Sequence, residues 1–154
     1  MCELFAISSA VLIQPEDLLR SFFSHSKINP NGWGLAIFGN NNTVNLEKEP
    51  VSANESCYLR HRLHALHNVS NLFAHIRKAT RGNIAYENCH PFVMYDYEGR
   101  AWTLMHNGTI FNSPLLEPYV QTQQGMTDSE RILCYIIDRI NAACGQLRWS
   151  LRDK

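Results

Sequence analysis

Residues 1–9 read MCELFAISS, and the fold turns on what this stretch is. From Cys2 onward it is short, apolar and β-like. It has no basic leader and no long apolar run, so it does not read as a signal peptide. Cys2 directly follows Met1. Removal of that methionine would leave a thiol and a free α-amine on one carbon. A thiol attacks as thiolate, with an ordinary pKa of about 8.5. An α-amine, with a pKa of about 7.7–8.0, is neutral enough near pH 7–8 to take the thiol proton. One terminal residue would then supply nucleophile and base. The plainer reading is a small apolar residue closing the first strand, and position 2 alone favours it.

Outward from that strand the pattern is mixed. QPEDLLRSFFSHS (14–26) has Pro15 near a helix start and Leu18, Leu19, Phe22 and Phe23 on one face. NPNGWG (29–34) reads as a loop. LAIFG (35–39) and TVNLEKE (43–49) read as a hairpin around the asparagines. Ser52 to Asn68 reads as a polar, basic helix. NLFAHIR (71–77) is a strand leading into KATRGN (78–83), and RAWTLMHNG (100–108) is a strand ending in a Gly turn. Thr127 and Glu130 have capping-box spacing, and Ile132, Leu133, Ile136, Ile137 and Ile140 follow at helical spacing. Segregated short strands and helices argue α+β in one domain.

Composition removes several classes. Lys plus Arg equals Asp plus Glu, 14 each, so bulk charge points to neither nucleic acid nor an anionic membrane. No apolar run approaches the ~20 residues of a membrane span. Five cysteines, Cys2, Cys57, Cys89, Cys134 and Cys144, are odd in number and not closely paired. They read as reduced thiols in the cytoplasm, not as a disulfide framework.

Five stretches carry residues suited to chemistry. HNGTI (106–110) offers an Asn amide and a Gly N–H, two donors for a developing oxyanion, or simply an Asn-Gly turn. Arg77 in FAHIRKATRG could fork onto a carboxylate, or be salt-bridged. Cys89-His90 in ENCHPF admits a Cys–His or metal reading, but Pro91 beside it favours a structural histidine. Asp128 in MTDSER suits a helix N-terminus and could equally hold an ammonium. Cys57, His61 and His64, with His67 behind, share a helix face that could bind zinc; Arg60 and Arg62 between them favour a solvated basic face.

Taken in order, Cys2, NGWG, HIRKATRG, ENCHPF, WTLMHNG and TDSE resemble the class II glutamine amidotransferases, which use an N-terminal nucleophile. The similarity runs from residue 2 to about residue 140 and is nearest to the stand-alone members. It implies a sandwich of two antiparallel sheets between helical layers. It implies Cys2 as nucleophile with its own α-amine as base, Asn107 and Gly108 as oxyanion hole, Arg77 on the substrate α-carboxylate and Asp128 on its α-ammonium. Thr80 would shape the pocket, and Trp33 would belong to a mobile loop closing over it. His75, Asn88, His90 and His106 would surround the site without touching substrate. The expected activity is hydrolysis of glutamine or another γ-glutamyl amide, with no cofactor. Any ammonia-accepting or companion protein would be a separate one. Two other readings remain: a silent binding or scaffold version of the fold, and a metal-binding module built on Cys57 and the histidines. Family members usually run well past position 154, so the resemblance implies a domain over 1–154 that is incomplete at its C-terminal end.

Overall fold

The computed structural model describes residues 1–152, with side chains to residue 145. Asp153 and Lys154, the end of GQLRWSLRDK, lie outside the described residues. In chain order the elements are β1 (Glu3–Ile13), α1 (Glu16–Ser24), β2 (Trp33–Phe38), β3 (Val44–Glu49), α2 (Cys57–His64), β4 (Val69–Ile76), β5 (Phe92–Tyr95), β6 (Ala101–Leu104) and α3 (Asp128–Arg152). Four strands form an antiparallel sheet in the order β1-β4-β2-β3, and β5 pairs with β6 in a second. The α+β class is as expected.

Register explains the layers. Phe5 and Leu35 both pair with Ala74, Ile7 and Ile37 with Leu72, and Trp33 with Ile76. Side chains alternate along a strand, so these residues share one face. That face packs on Leu19, Phe22 and Phe23 of α1 and Leu59 and Leu63 of α2. On the opposite face, Leu4, Ala6 and Phe73 look across a gap at Thr103, Leu104 and Met105. Phe92, Met94, Trp102 and Leu104 of the second sheet pack against Leu133, Ile137 and Ile140 of α3. The result is two sheets between helical layers. Gly34 lets them approach closely, since a Cβ there would lie 1.9 Å from the His90 carbonyl oxygen. No described helix is long and apolar enough to cross a membrane.

Three local expectations need correction. Leu18 is exposed, because Leu19, Phe22 and Phe23 are at i, i+3 and i+4 and Leu18 falls off that stripe. The helix expected over Ser52–Asn68 is only Cys57–His64. Ser56 Oγ accepts from Leu59 N (2.9 Å) and starts it, while upstream Ser52 bonds Ser26 Oγ (2.7 Å). Trp33 is not on a mobile loop. It opens β2 at 0% exposure, lies edge-on to Phe23 and donates its indole N–H to Glu49 Oε2 at 3.1 Å. A buried indole N–H needs such a partner. The asparagine hairpin forms as expected, with Asn41 and Asn42 in left-handed backbone that asparagine tolerates.

Candidate active site

Cys2 is placed by the sheet. Glu3 pairs with Ile76, so Cys2 falls beside the residues that follow β4. Its Sγ accepts from Lys78 N (3.3 Å) and lies 3.5 Å from Lys78 O. The neighbouring Glu3 carboxylate is held by His25 Nδ1 (2.8 Å) and Asn29 Nδ2 (3.1 Å). Beyond the ladder, the 29–32 loop takes over. Asn31 N donates to Arg77 O (3.0 Å), Arg77 N to Gly32 O (2.8 Å) and Ala79 N to Asn31 Oδ1 (3.0 Å).

Arg77 is 3% exposed. Its Nη1 donates to Asn83 O (3.0 Å), and Nη2 to Arg81 O (2.8 Å) and Gly82 O (3.3 Å). A guanidinium has five N–H donors, so two remain for any other acceptor. The open bidentate fork expected from the sequence is therefore largely turned onto the loop that follows it. Thr80, between these groups, is exposed.

The start of α3 gathers the other half. Thr127 Oγ accepts from Glu130 N (3.3 Å), but Glu130 does not complete a capping box. Its carboxylate accepts instead from Gln124 N (2.7 Å) and Gly125 N (2.8 Å). Asp128 Oδ2 accepts from Ile110 N, and Ser129 Oγ meets His106 Nδ1 at 3.0 Å. These two bonds bracket Asn107 and Gly108. The Asn107 side chain is exposed and makes no hydrogen bond among the described residues. A Cβ on Gly108 would lie 2.7 Å from His106 Nε2, so the histidine ring folds over this position and would have to shift for any larger residue. Neither residue has the positive φ of an Asn-Gly hairpin turn.

The histidines divide. His75 and His90 are buried with ring centroids 4.4 Å apart. Burial pushes His75 down to about 3 and His90 down to about 2, and His75 faces the His106 backbone. Burial raises the Cys89 thiol to about 11. A thiol and an imidazole shifted this way cannot act as nucleophile and base near neutral pH, so Cys89-His90 is structural. On α2, His61 Nδ1 bonds Cys57 O (2.8 Å), and His64 Nδ1 bonds Glu16 (2.8 Å). Among the described residues no three His, Cys, Asp or Glu side chains are grouped to hold a metal.

The structure thus brings Cys2 to Arg77–Lys78, and the Asn107–Gly108 turn to Asp128–Ser129. The sequence reading missed Ser129, the true partners of Glu130, and the Asn31 and Glu3 anchors. Capping-box spacing located the helix start; nothing local marked the loops that dock there.

Comparison with known proteins shows the family to which this fold belongs. The model of the family "Glutamine amidotransferases class-II" matches residues 1–153. "Uncharacterized protein MJ1515" of Methanocaldococcus jannaschii is 36% identical over 151 residues, covering 97% of this chain and 41% of that protein. "Putative glutamine amidotransferase YafJ" of Escherichia coli is 30% identical over 146 residues, covering 91% and 55%. The chain spans about half the length of these relatives. In fold it is similar to the glutamine phosphoribosylpyrophosphate amidotransferase of B. subtilis, with a TM-score of 0.63 and 19% identity over 90% of this chain and 29% of that one. With a cysteine against the end of β4 and a bracketed Asn-Gly turn at α3, the chain belongs to the class II glutamine amidotransferase family.

Proposed function

We propose that the chain hydrolyses the side-chain amide of glutamine, or of a related γ-glutamyl compound, through a thioester on Cys2. The observation that carries this reading is the placement of Cys2, partly exposed and held by the Lys78 backbone directly after Arg77. With Met1 removed, the α-amine takes the thiol proton and the sulfur attacks the γ-carbonyl carbon. Asn107 Nδ2 and the Gly108 N–H would hold the oxyanion. The C–N bond then breaks, and ammonia leaves with the proton from the α-ammonium. Water attacks the thioester, the amine again takes a proton, and glutamate and the free thiol are restored.

At the amino-acid end, Arg77 would offer one of its two remaining N–H groups, on Nε or Nη1, to the α-carboxylate. Asp128 would offer Oδ1, since Oδ2 is used by Ile110. Thr80, exposed three residues after Arg77, would line the mouth. Both groups read features shared by all γ-glutamyl amides, so the leaving amine is set elsewhere. A separate protein would accept the ammonia. Five free cysteines fit a reducing, cytoplasmic setting.

The test is glutamate release from L-glutamine by protein whose N-terminal residue is verified as Cys2, beside Cys2→Ala. The expected result is turnover that Cys2→Ala abolishes. Turnover absent from the trimmed wild type on glutamine and on other γ-glutamyl amides would favour the silent binding version of the fold.

A further inference from the structure

Asn88 sits in the short turn Tyr86–Asn88 and is 2% exposed. Its Nδ2 donates to Asn83 O at 2.9 Å and its Oδ1 accepts from Met126 N at 2.7 Å. The reverse orientation of the amide would set donor against donor and acceptor against acceptor. The fit has no slack. A Cβ on Gly82 would lie 3.1 Å from Asn88 Nδ2, and one on Gly125 would lie 2.5 Å from Oδ1.

The two bonds join separate loops. Asn83 O, which receives Asn88, also receives Arg77 Nη1 at 3.0 Å. Met126, on the other side, lies two residues before Asp128. One side chain therefore closes a chain of contacts from the Arg77 guanidinium through the Asn83 carbonyl and Asn88 to the start of α3. At the surface the Arg81 guanidinium lies 5.0 Å over the Phe111 ring, next to Ile110, which Asp128 holds. The same two regions are thus linked twice.

We propose that Asn88 is a positioning residue that sets the spacing between Arg77 and Asp128, and so governs recognition of the α-amino-acid end of the substrate. This rests on the glutamine-amide reading. The α-carboxylate and α-ammonium of such a substrate are bonded to one carbon, so their receptors must keep a fixed separation. Backbone connects those receptors only by a long path, and of the two short links Asn88 is the buried, hydrogen-bonded one. Asn88 itself touches neither group.

Three variants test this on trimmed protein. Asn88→Asp keeps shape and the acceptor arm but replaces the donor. Asn88→Ala removes both arms. Gly125→Ala presses from the far side on Oδ1 and on the backbone carbonyl of Glu87, the residue before Asn88. Each should raise KM for L-glutamine by about tenfold or more, the scale of one buried hydrogen bond, with kcat within about threefold. Alkylation of Cys2 by iodoacetamide, which does not use the amino-acid end, should keep the wild-type rate. A merely structural role would instead lower kcat and alter alkylation in step with the melting curve. Folded Asn88→Asp and Gly125→Ala proteins with wild-type KM would overturn the proposal. Should the Asn88 variants fail to fold, Gly125→Ala decides.

If trimmed wild type neither cleaves glutamine nor is labelled by 6-diazo-5-oxo-L-norleucine, the functional reading has failed, and hydrogen exchange reads the linkage by itself. Faster exchange in both 81–85 and 124–127 of Asn88→Ala would uphold the coupling of the loops. Faster exchange in only one segment would overturn it.

Discussion

Cys2 and the Asn107–Gly108 turn serve one reaction in the proposed mechanism, yet they are held by different means. Cys2 rides on the register of β1 against β4, a ladder of backbone bonds just beyond which the Lys78 N–H meets the Cys2 thiol itself. The turn is held by side chains: Asp128 on Ile110 and Ser129 on His106, at the N-terminal end of α3. The ladder is indifferent to most side chains, provided the buried face stays apolar. The α3 end depends on buried polar groups, each with one suitable partner. Substitutions should therefore act differently at the two ends, through packing at one and through single bonds at the other.

The largest expected effect removes chemistry from the ladder end without touching the ladder. Protein retaining Met1 has a peptide nitrogen at Cys2 in place of an amine. Turnover should fall by about 10²–10⁴-fold, the usual contribution of a general base, while thermal unfolding stays unchanged. Intact mass identifies each form, and equal turnover would sink the N-terminal mechanism even if Cys2 were essential.

Next comes the packing beneath that end. Trp33→Ala should cost roughly 3–5 kcal/mol, as expected for a buried large aromatic residue. Denaturant unfolding reads this directly. A loss under 1 kcal/mol would mean that Trp33 spends its time outside the core, as the loop reading had it.

At the α3 end, Asn107→Ala should lower kcat by about 10²–10³-fold, the usual worth of one oxyanion donor. Because the side chain is exposed and makes no hydrogen bond among the described residues, the melting temperature should hold. A fall in both would assign Asn107 to the structure of the turn.

Acid probes the seam between the two regions, where His75 and His90 are buried. Both are held neutral in the fold, with pKa values lowered to about 3 and about 2 by burial. A pH unit or more above 6.5 neither state is protonated to any extent and the histidines contribute nothing. Below it the unfolded chain binds protons that the folded chain refuses, so stability falls as pH drops from about 6.5 toward 3. Between pH 7.5 and 5.5 the two together should cost about 3 kcal/mol. Replacing His90 with Gln should reduce that slope by about half; an unchanged slope would mean that its ring is hydrated.

The smallest effect tests the cap. Thr127→Ala should cost about 1 kcal/mol, as for other N-caps. A urea titration would detect it. Loss well beyond that would show that the loops docked on α3 depend on the cap as well as on Asp128 and Ser129.

Much of the ladder end was legible in the sequence. MCELFAISS and NLFAHIR read as strands from their apolar runs, and the asparagine hairpin from its turn residues, because strand and turn preferences are local. Trp33 was misread because NPNGWG has loop composition, and only the pairing of Trp33 with Ile76 and the Glu49 acceptor draw it into the core. The full-length helix expected over Ser52–Asn68 failed for a related reason. Its polar residues had better partners elsewhere, such as Ser26 for Ser52.

By itself the sequence determined the α+β class, the order of the motifs and the reactive residue types in them; that their chemistry is amide hydrolysis is what the family resemblance implies. Those follow from periodicity, turn chemistry and the reactivity of side chains, which neighbours in the chain already specify. Tertiary structure alone decided that Arg77 spends three donors on carbonyls 81–83, that Glu130 holds Gln124 and Gly125, and that Asn88 ties the Arg77 loop to the start of α3. A buried polar group takes the partner that the packed fold brings within about 3 Å. Distance along the chain does not encode that partner.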